Sequence, residues 1–151
     1  MKQATHEWTL WAVAASCALH PIEEYFTGWQ AWAAMTLGIT MPTPTFVVMN
    51  LMLVVMACVL ARMGWKAPTL TLVIPAATLV NAIFFHILPT VVEKRTSPGI
   101  YTASILYVPF SMWAMLGAWF DGVPKRSIGL ALISGTLMMV TIVLLARSLP
   151  A

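Results

Sequence analysis

An all-α integral membrane helical bundle, with about five transmembrane segments and one further interfacial or re-entrant helix, is the fold class this sequence predicts. Three observations predict it. Only 9% of the 151 residues are charged and 60% are hydrophobic, whereas a soluble domain carries about 25% charged residues. The mean hydropathy is +0.87. The apolar residues fall into long runs divided by short polar breaks, and about 20 such residues cross a bilayer. The length suits a single membrane domain over residues 1–151. The net charge of +3 comes from Lys and Arg scattered singly between apolar runs. They read as topology determinants, and no clustered basic face for nucleic acid is present.

Each element has its own warrant. After a polar head, residues 5–20 make the first span, ending near His20, with Pro21 opening a new turn where its missing N–H is harmless. Ala14-Ala15-Ser16 has the small residues of a signal cleavage region, but a single Lys precedes the apolar core, which argues against one. Tyr25, Trp29 and Trp32 are interfacial anchors, so 21–36 reads as the interfacial or re-entrant helix. Pro42-Thr43-Pro44 ends it. Spans follow over 45–62, 69–92, 100–120 and 127–148, with Pro75 and Pro89 inside the third and Pro109 inside the fourth. In the last, Ala131 and Gly135 form a small-xxx-small pair suited to close helix packing. Cys17 and Cys58 fall at different depths and read as small buried hydrophobes. The Met residues read as packing filler.

Orientation follows from Lys and Arg. With the N-terminus inside, Lys2, Arg62, Lys66, Lys125 and Arg126 share one side and Lys94, Arg95 and Arg147 the other. The positive-inside rule then puts the N-terminus on the cytoplasmic side and the C-terminus on the other. In this topology His20, Glu23 and Glu24 lie at the outer end of the first span. Asn81 and His86 approach the same level, Asn50 lies about two turns below it, and Pro98-Gly99 and Tyr101 open the fourth span there. The opposite end carries no such residues, and His6 and Glu7 stay outside the candidate site.

Ionisable groups in a membrane are expensive, so convergence of four of them points to a site. Two imidazoles and two carboxylates suit a divalent metal, zinc above iron or manganese. His20, Glu23, Glu24 and His86 are the candidate ligands. Glu23 and Glu24 are also the candidate catalytic acids, one serving as general base while the other ligates. Asn50, Asn81 and Tyr101 are candidates to orient ligands or bind substrate. Plainer readings compete with each: a capping histidine, acids answering a helix dipole, asparagines joining helices.

The run Leu19-His20-Pro21-Ile22-Glu23-Glu24-Tyr25 resembles the HXXEE family of small prokaryotic membrane proteins. Asn81…His86 and Pro98-Gly99-Ile100-Tyr101-Thr102 are similar to that family's later patches, in the same order. The resemblance implies a multi-span helical protein with a suspected metal site at His20, Glu23, Glu24, Asn81 and His86. It implies no reaction.

The expectation is therefore a metal-dependent, hydrolase-type membrane enzyme acting on a lipid-like or amphipathic substrate. A homo-oligomer is compatible with it. Alternatives are a metal-free acid–base isomerase, a metal or solute transporter or sensor, and a structural subunit. A di-iron oxidase would ask for more carboxylates than this chain offers.

Overall fold

The computed structural model describes residues 6–148; Lys2 and the first residue of the expected opening span lie outside them. The described residues are helical, with no strand. We number six helices: α1 (Trp8–Phe26), α2 (Trp29–Thr36), α3 (Thr43–Met63, continued by a 3-10 turn over Gly64–Lys66), α4 (Pro68–Glu93), α5 (Ile100–Phe120) and α6 (Lys125–Ser148). Of these, α3, α4, α5 and α6 are long and apolar enough to cross a membrane, so the chain is a helical membrane protein.

The first helix corrects the sequence reading. It does not stop at His20; Pro21 sits inside it and the helix runs on to Phe26. Proline's fixed φ is itself helical, so its cost is one missing hydrogen bond and a clash with the carbonyl four residues back. Tertiary packing outweighs that cost. Leu10, Val13, Ala14 and Cys17 recur at helical spacing and are buried in the core with Ala57, Ala61, Tyr107 and Ala114. The same buried stripe continues into His20 and Glu24. Only the short α2 remains of the expected helix over 21–36.

The other prolines act in the spans. Pro75, Pro89 and Pro109 lack the N–H that would bond the carbonyls of Thr71, Phe85 and Ile105. Regular helix breaks at Leu72, just after the first of these, and widens into π turns at Ala82–Ile87 and Ala103–Tyr107, around the other two. π turns cluster at functional sites. These two flank the cluster described below.

Packing depends on small residues. Ala131 and Gly135 of α6 are buried, and a Cβ on Gly135 would come within 2.6 Å of Ala76 Cβ and 2.8 Å of the Val73 carbonyl oxygen. The small-xxx-small face thus joins α6 to α4. Gly135→Leu should cost about 3 kcal/mol by overpacking, read as a lower unfolding midpoint in mixed micelles; an unchanged midpoint would contradict this contact.

The end opposite His20 is not bare, contrary to the sequence reading. Asp121 accepts from the His6 backbone N–H at 2.8 Å, from His6 Nδ1 at 2.7 Å and from Trp65 Nε1 at 2.9 Å. Glu7 Oε1 accepts from the Trp65 backbone N–H at 2.6 Å. This knot ties the start of α1 to the α3–α4 and α5–α6 connections.

Candidate functional site

Because α1 continues through Pro21, His20 and Glu24 stand one turn apart on the buried face. His86 comes from the π turn of α4. Glu24 Oε1 lies 3.4 Å from His20 Nε2 and 3.6 Å from His86 Nε2, and the three atoms are all within 4.8 Å of one another. The side chains are sequestered: His86 is 0% exposed, His20 3% and Glu24 6%. The two imidazole rings meet edge to face, with centroids 4.8 Å apart.

The hydrogens on these imidazoles are committed elsewhere. His86 Nδ1 lies 2.8 Å from the Pro98 carbonyl oxygen. A carbonyl only accepts, so Nδ1 carries the proton and Nε2 of the neutral ring keeps its lone pair. Thr102 Oγ1 donates to Glu23 Oε2 at 2.6 Å and so spends its one hydrogen there. It then accepts from His20 Nδ1, 2.8 Å away. His20 Nε2 is left with its lone pair as well. Both Nε2 atoms are buried without a hydrogen-bond partner, and both face a carboxylate oxygen. Three electron-rich atoms converging in this way repel unless a proton or a metal ion lies among them.

The donor set fits such a cation. Tetrahedral bonds of 2.0–2.1 Å to zinc separate neighbouring ligand atoms by about 3.3 Å, near the two distances to Glu24; the three atoms together span up to 4.8 Å, so the two imidazoles would close on a bound ion. The partners on Nδ1, a carbonyl and a hydroxyl backed by a carboxylate, are what metal-binding histidines use to hold their rings.

The surrounding chain is built against the cluster. Gly99 has φ +89°, and a Cβ there would lie 2.8 Å from His86 Cε1 and 2.9 Å from both Glu24 Cγ and His20 Cε1. Only glycine accommodates that backbone and that approach. Ser97 Oγ donates to the His86 carbonyl at 3.0 Å, fixing the α4–α5 connection to the π turn.

Glu23 faces elsewhere. Its Oε1 accepts from the Tyr101 N–H at 3.1 Å and its Oε2 from the Thr102 N–H and hydroxyl, both at 2.6 Å. These are two of the first four N–H groups of α5, which lack helical partners. Glu23 therefore caps α5 and orients His20 through Thr102, and among the described residues the converging ligand atoms come from His20, Glu24 and His86 alone. Tyr101 takes part through its backbone, its side chain being exposed.

Asn50 and Asn81 line a cavity of about 400 Å³ that also reaches Glu24. Asn50 Nδ2 donates to the Phe46 carbonyl at 2.9 Å, whereas Asn81 Oδ1 is buried with no partner. Asn81 and His86 are five residues apart, about 140° around a regular α-helix. The π turn between them closes at that spacing and narrows the divergence. Sequence reasoning missed Ser97 and Thr102 as supports. The threonine three residues after Pro98-Gly99, at a helix start, was the available signal.

Thr102→Val removes the hydroxyl between Glu23 and His20 at nearly constant volume. We expect metal affinity, measured by competition with a chelator, to fall about 10–100-fold and Thr102→Ser to restore it. Equal affinity in all three proteins would remove Thr102 from the account.

A buried His/Glu/His cluster at one end of a bundle with four apolar, membrane-length helices defines a polytopic helical membrane protein with a buried polar cluster. The chain belongs to the family described as "Protein of unknown function with HXXEE motif", which matches residues 11–114. The motif is His20-Pro21-Ile22-Glu23-Glu24, and the match takes in His86 and Gly99 as well. No curated protein and no solved structure matches the chain.

Proposed function

We propose that this protein is a membrane-embedded, metal-dependent hydrolase acting on a lipid-like or amphipathic substrate, with His20, His86 and Glu24 holding a zinc ion. The single observation that carries the reading is the pair of partnerless Nε2 lone pairs facing Glu24 Oε1. Two histidines and one carboxylate make a three-ligand set of the kind catalytic zinc sites use, with a fourth position left for chemistry. A divalent ion there would supply a Lewis acid, polarising a carbonyl and acidifying a water.

The chain's own residues do the rest. Glu24 lines the cavity, so a substrate bond at its inner end lies beside the cluster. Water adds to the acyl carbon, the bond to the leaving oxygen or nitrogen breaks, and the leaving atom takes the proton. With Glu23 occupied by three donors, Glu24's second oxygen is the carboxylate oxygen left to accept and return that proton. Gly99 admits backbone where a side chain would displace the ligands. The 19-residue α1 spans about 28 Å, and we count it as a fifth crossing despite its polar end. The N-terminus is assigned to the cytoplasmic side of a bacterial inner membrane, as the distribution of Lys and Arg favours.

A panel of fluorogenic acyl esters and amides in mixed micelles tests the reading. Turnover should be lost on chelation, return with added zinc, and be absent in Glu24→Ala. Turnover untouched by chelators would overturn it in favour of metal-free acid–base chemistry.

A further inference from the structure

We infer that Arg147 and the half-open cleft between α3 and α6 bind a glycerophospholipid, its phosphate on Arg147 and one acyl chain in the cleft. The binding stands on Arg147 and the cleft alone; as the substrate class of the proposed hydrolase, it rests on that reading.

The charge comes first. Helix α6 has 24 residues, about 36 Å, against a hydrocarbon core of about 30 Å. Arg147, last but one in that helix, therefore stands at head-group level. It is held there, because Arg147 Nε donates to the Leu37 carbonyl at 2.8 Å, at the C-terminal end of α2. That bond uses one of the five N–H groups of a guanidinium. The two terminal nitrogens keep a planar fork that matches a pair of phosphate oxygens. Among the described residues no carboxylate pairs with Arg147, and the residue is exposed.

The cleft opens beside that charge. Leu37, whose carbonyl holds Arg147, and Ala146, the residue before it, both line it. Met49 and Met56 of α3 and Met139 and Val143 of α6 supply its walls. From Phe46 to Met56 it follows α3 for ten residues, about 15 Å, half of a hydrocarbon core of about 30 Å and so the depth of one leaflet's chains. Thioether side chains adapt to a flexible chain, and the open side admits one from the bilayer. A lipid without phosphate would use the walls and leave the arginine fork to water. A free phosphate would use the fork and gain nothing from the walls. A glycerophospholipid uses both, since its phosphate and its acyl chains join through one glycerol at the interface. Glu24 lines the same cleft, which gives an acyl bond carried into it access to the cluster.

The test uses the full chain, delipidated in maltoside micelles, and a phosphatidylglycerol carrying a photoactivatable diazirine in one acyl chain. Labelled peptides are mapped by mass spectrometry, with labelling expected on 49–56 and 138–143. Unlabelled dioleoylphosphatidylglycerol should displace the probe at least tenfold better than dioleoylglycerol, which has the same chains and no phosphate. Millimolar inorganic phosphate should not displace it. Arg147→Gln should weaken labelling about tenfold and abolish the preference between the two competitors. Met139→Trp, which fills the cleft, should also weaken labelling about tenfold, so a folding failure in one variant leaves the other decisive. Equal displacement by the two lipids, displacement by phosphate alone, or unchanged labelling in Arg147→Gln would overturn the inference. So would labels spread over the exposed positions Leu51, Val55 and Leu137. Metal content and fatty-acid release are read on the same samples. Selective labelling without metal or release would end the hydrolase reading and leave this inference standing; metal and release with unselective labelling would do the reverse.

Discussion

Glu24→Gln should lose its metal by more than about 100-fold in affinity, beyond the 10–100-fold range of supporting residues. Under chelation, the same variant should unfold later than the wild type. The two effects have opposite signs for one reason. In the wild type a carboxylate oxygen faces two imidazole lone pairs at 3.4 and 3.6 Å, an arrangement suited to a cation. A carboxamide brings an N–H that can donate to one of those lone pairs, a gain of about 1 kcal/mol. Affinity by chelator competition and unfolding midpoints with and without chelator read both effects. A variant that keeps its metal, or one destabilised in both conditions, would exclude Glu24 as a ligand. Glu23→Gln should weaken metal by about tenfold only, because it reaches the cluster through Thr102 and His20.

Gly99→Ala should damage the cluster directly. Its backbone, at φ +89°, costs an alanine about 1–2 kcal/mol. The new methyl would meet His20, Glu24 and His86 together at 2.8–2.9 Å, so none can yield without moving another. Loss of metal and a fall in unfolding midpoint are expected together. Gly122→Ala is the control: its φ is +81°, yet nothing lies within 4 Å of its Cβ. It should show the backbone cost with metal retained. Equal effects at both positions would mean that Gly99 acts through backbone conformation alone.

The long helices are legible in the sequence because apolarity persists over a full crossing, and Pro68 and Pro124 mark connections between them. His20 and His86 are legible as neighbours because topology brings the ends of their spans to one level. What escapes is local. Pro21 reads as a boundary, and only burial of the stripe from Leu10 to Glu24 carries the helix through it. The two acids look equivalent, yet positions three and four residues after His20 lie about 100° apart on the helix. Whichever meets Thr102 becomes the support, and that depends on where α5 begins. The π turns follow from Pro89 and Pro109, but their register is set by packing. Asp121 and His6 are 115 residues apart, beyond any local pattern.

The central claim is that His20, Glu24 and His86 hold a divalent ion. Elemental analysis of the detergent-purified wild type beside His20→Ala and His86→Ala, by plasma mass spectrometry, tests it most directly. The expected result is near-stoichiometric zinc in the wild type and its loss from both variants with helical content preserved. No divalent metal in folded wild type, and none taken up when zinc, iron or manganese is added back, would contradict it.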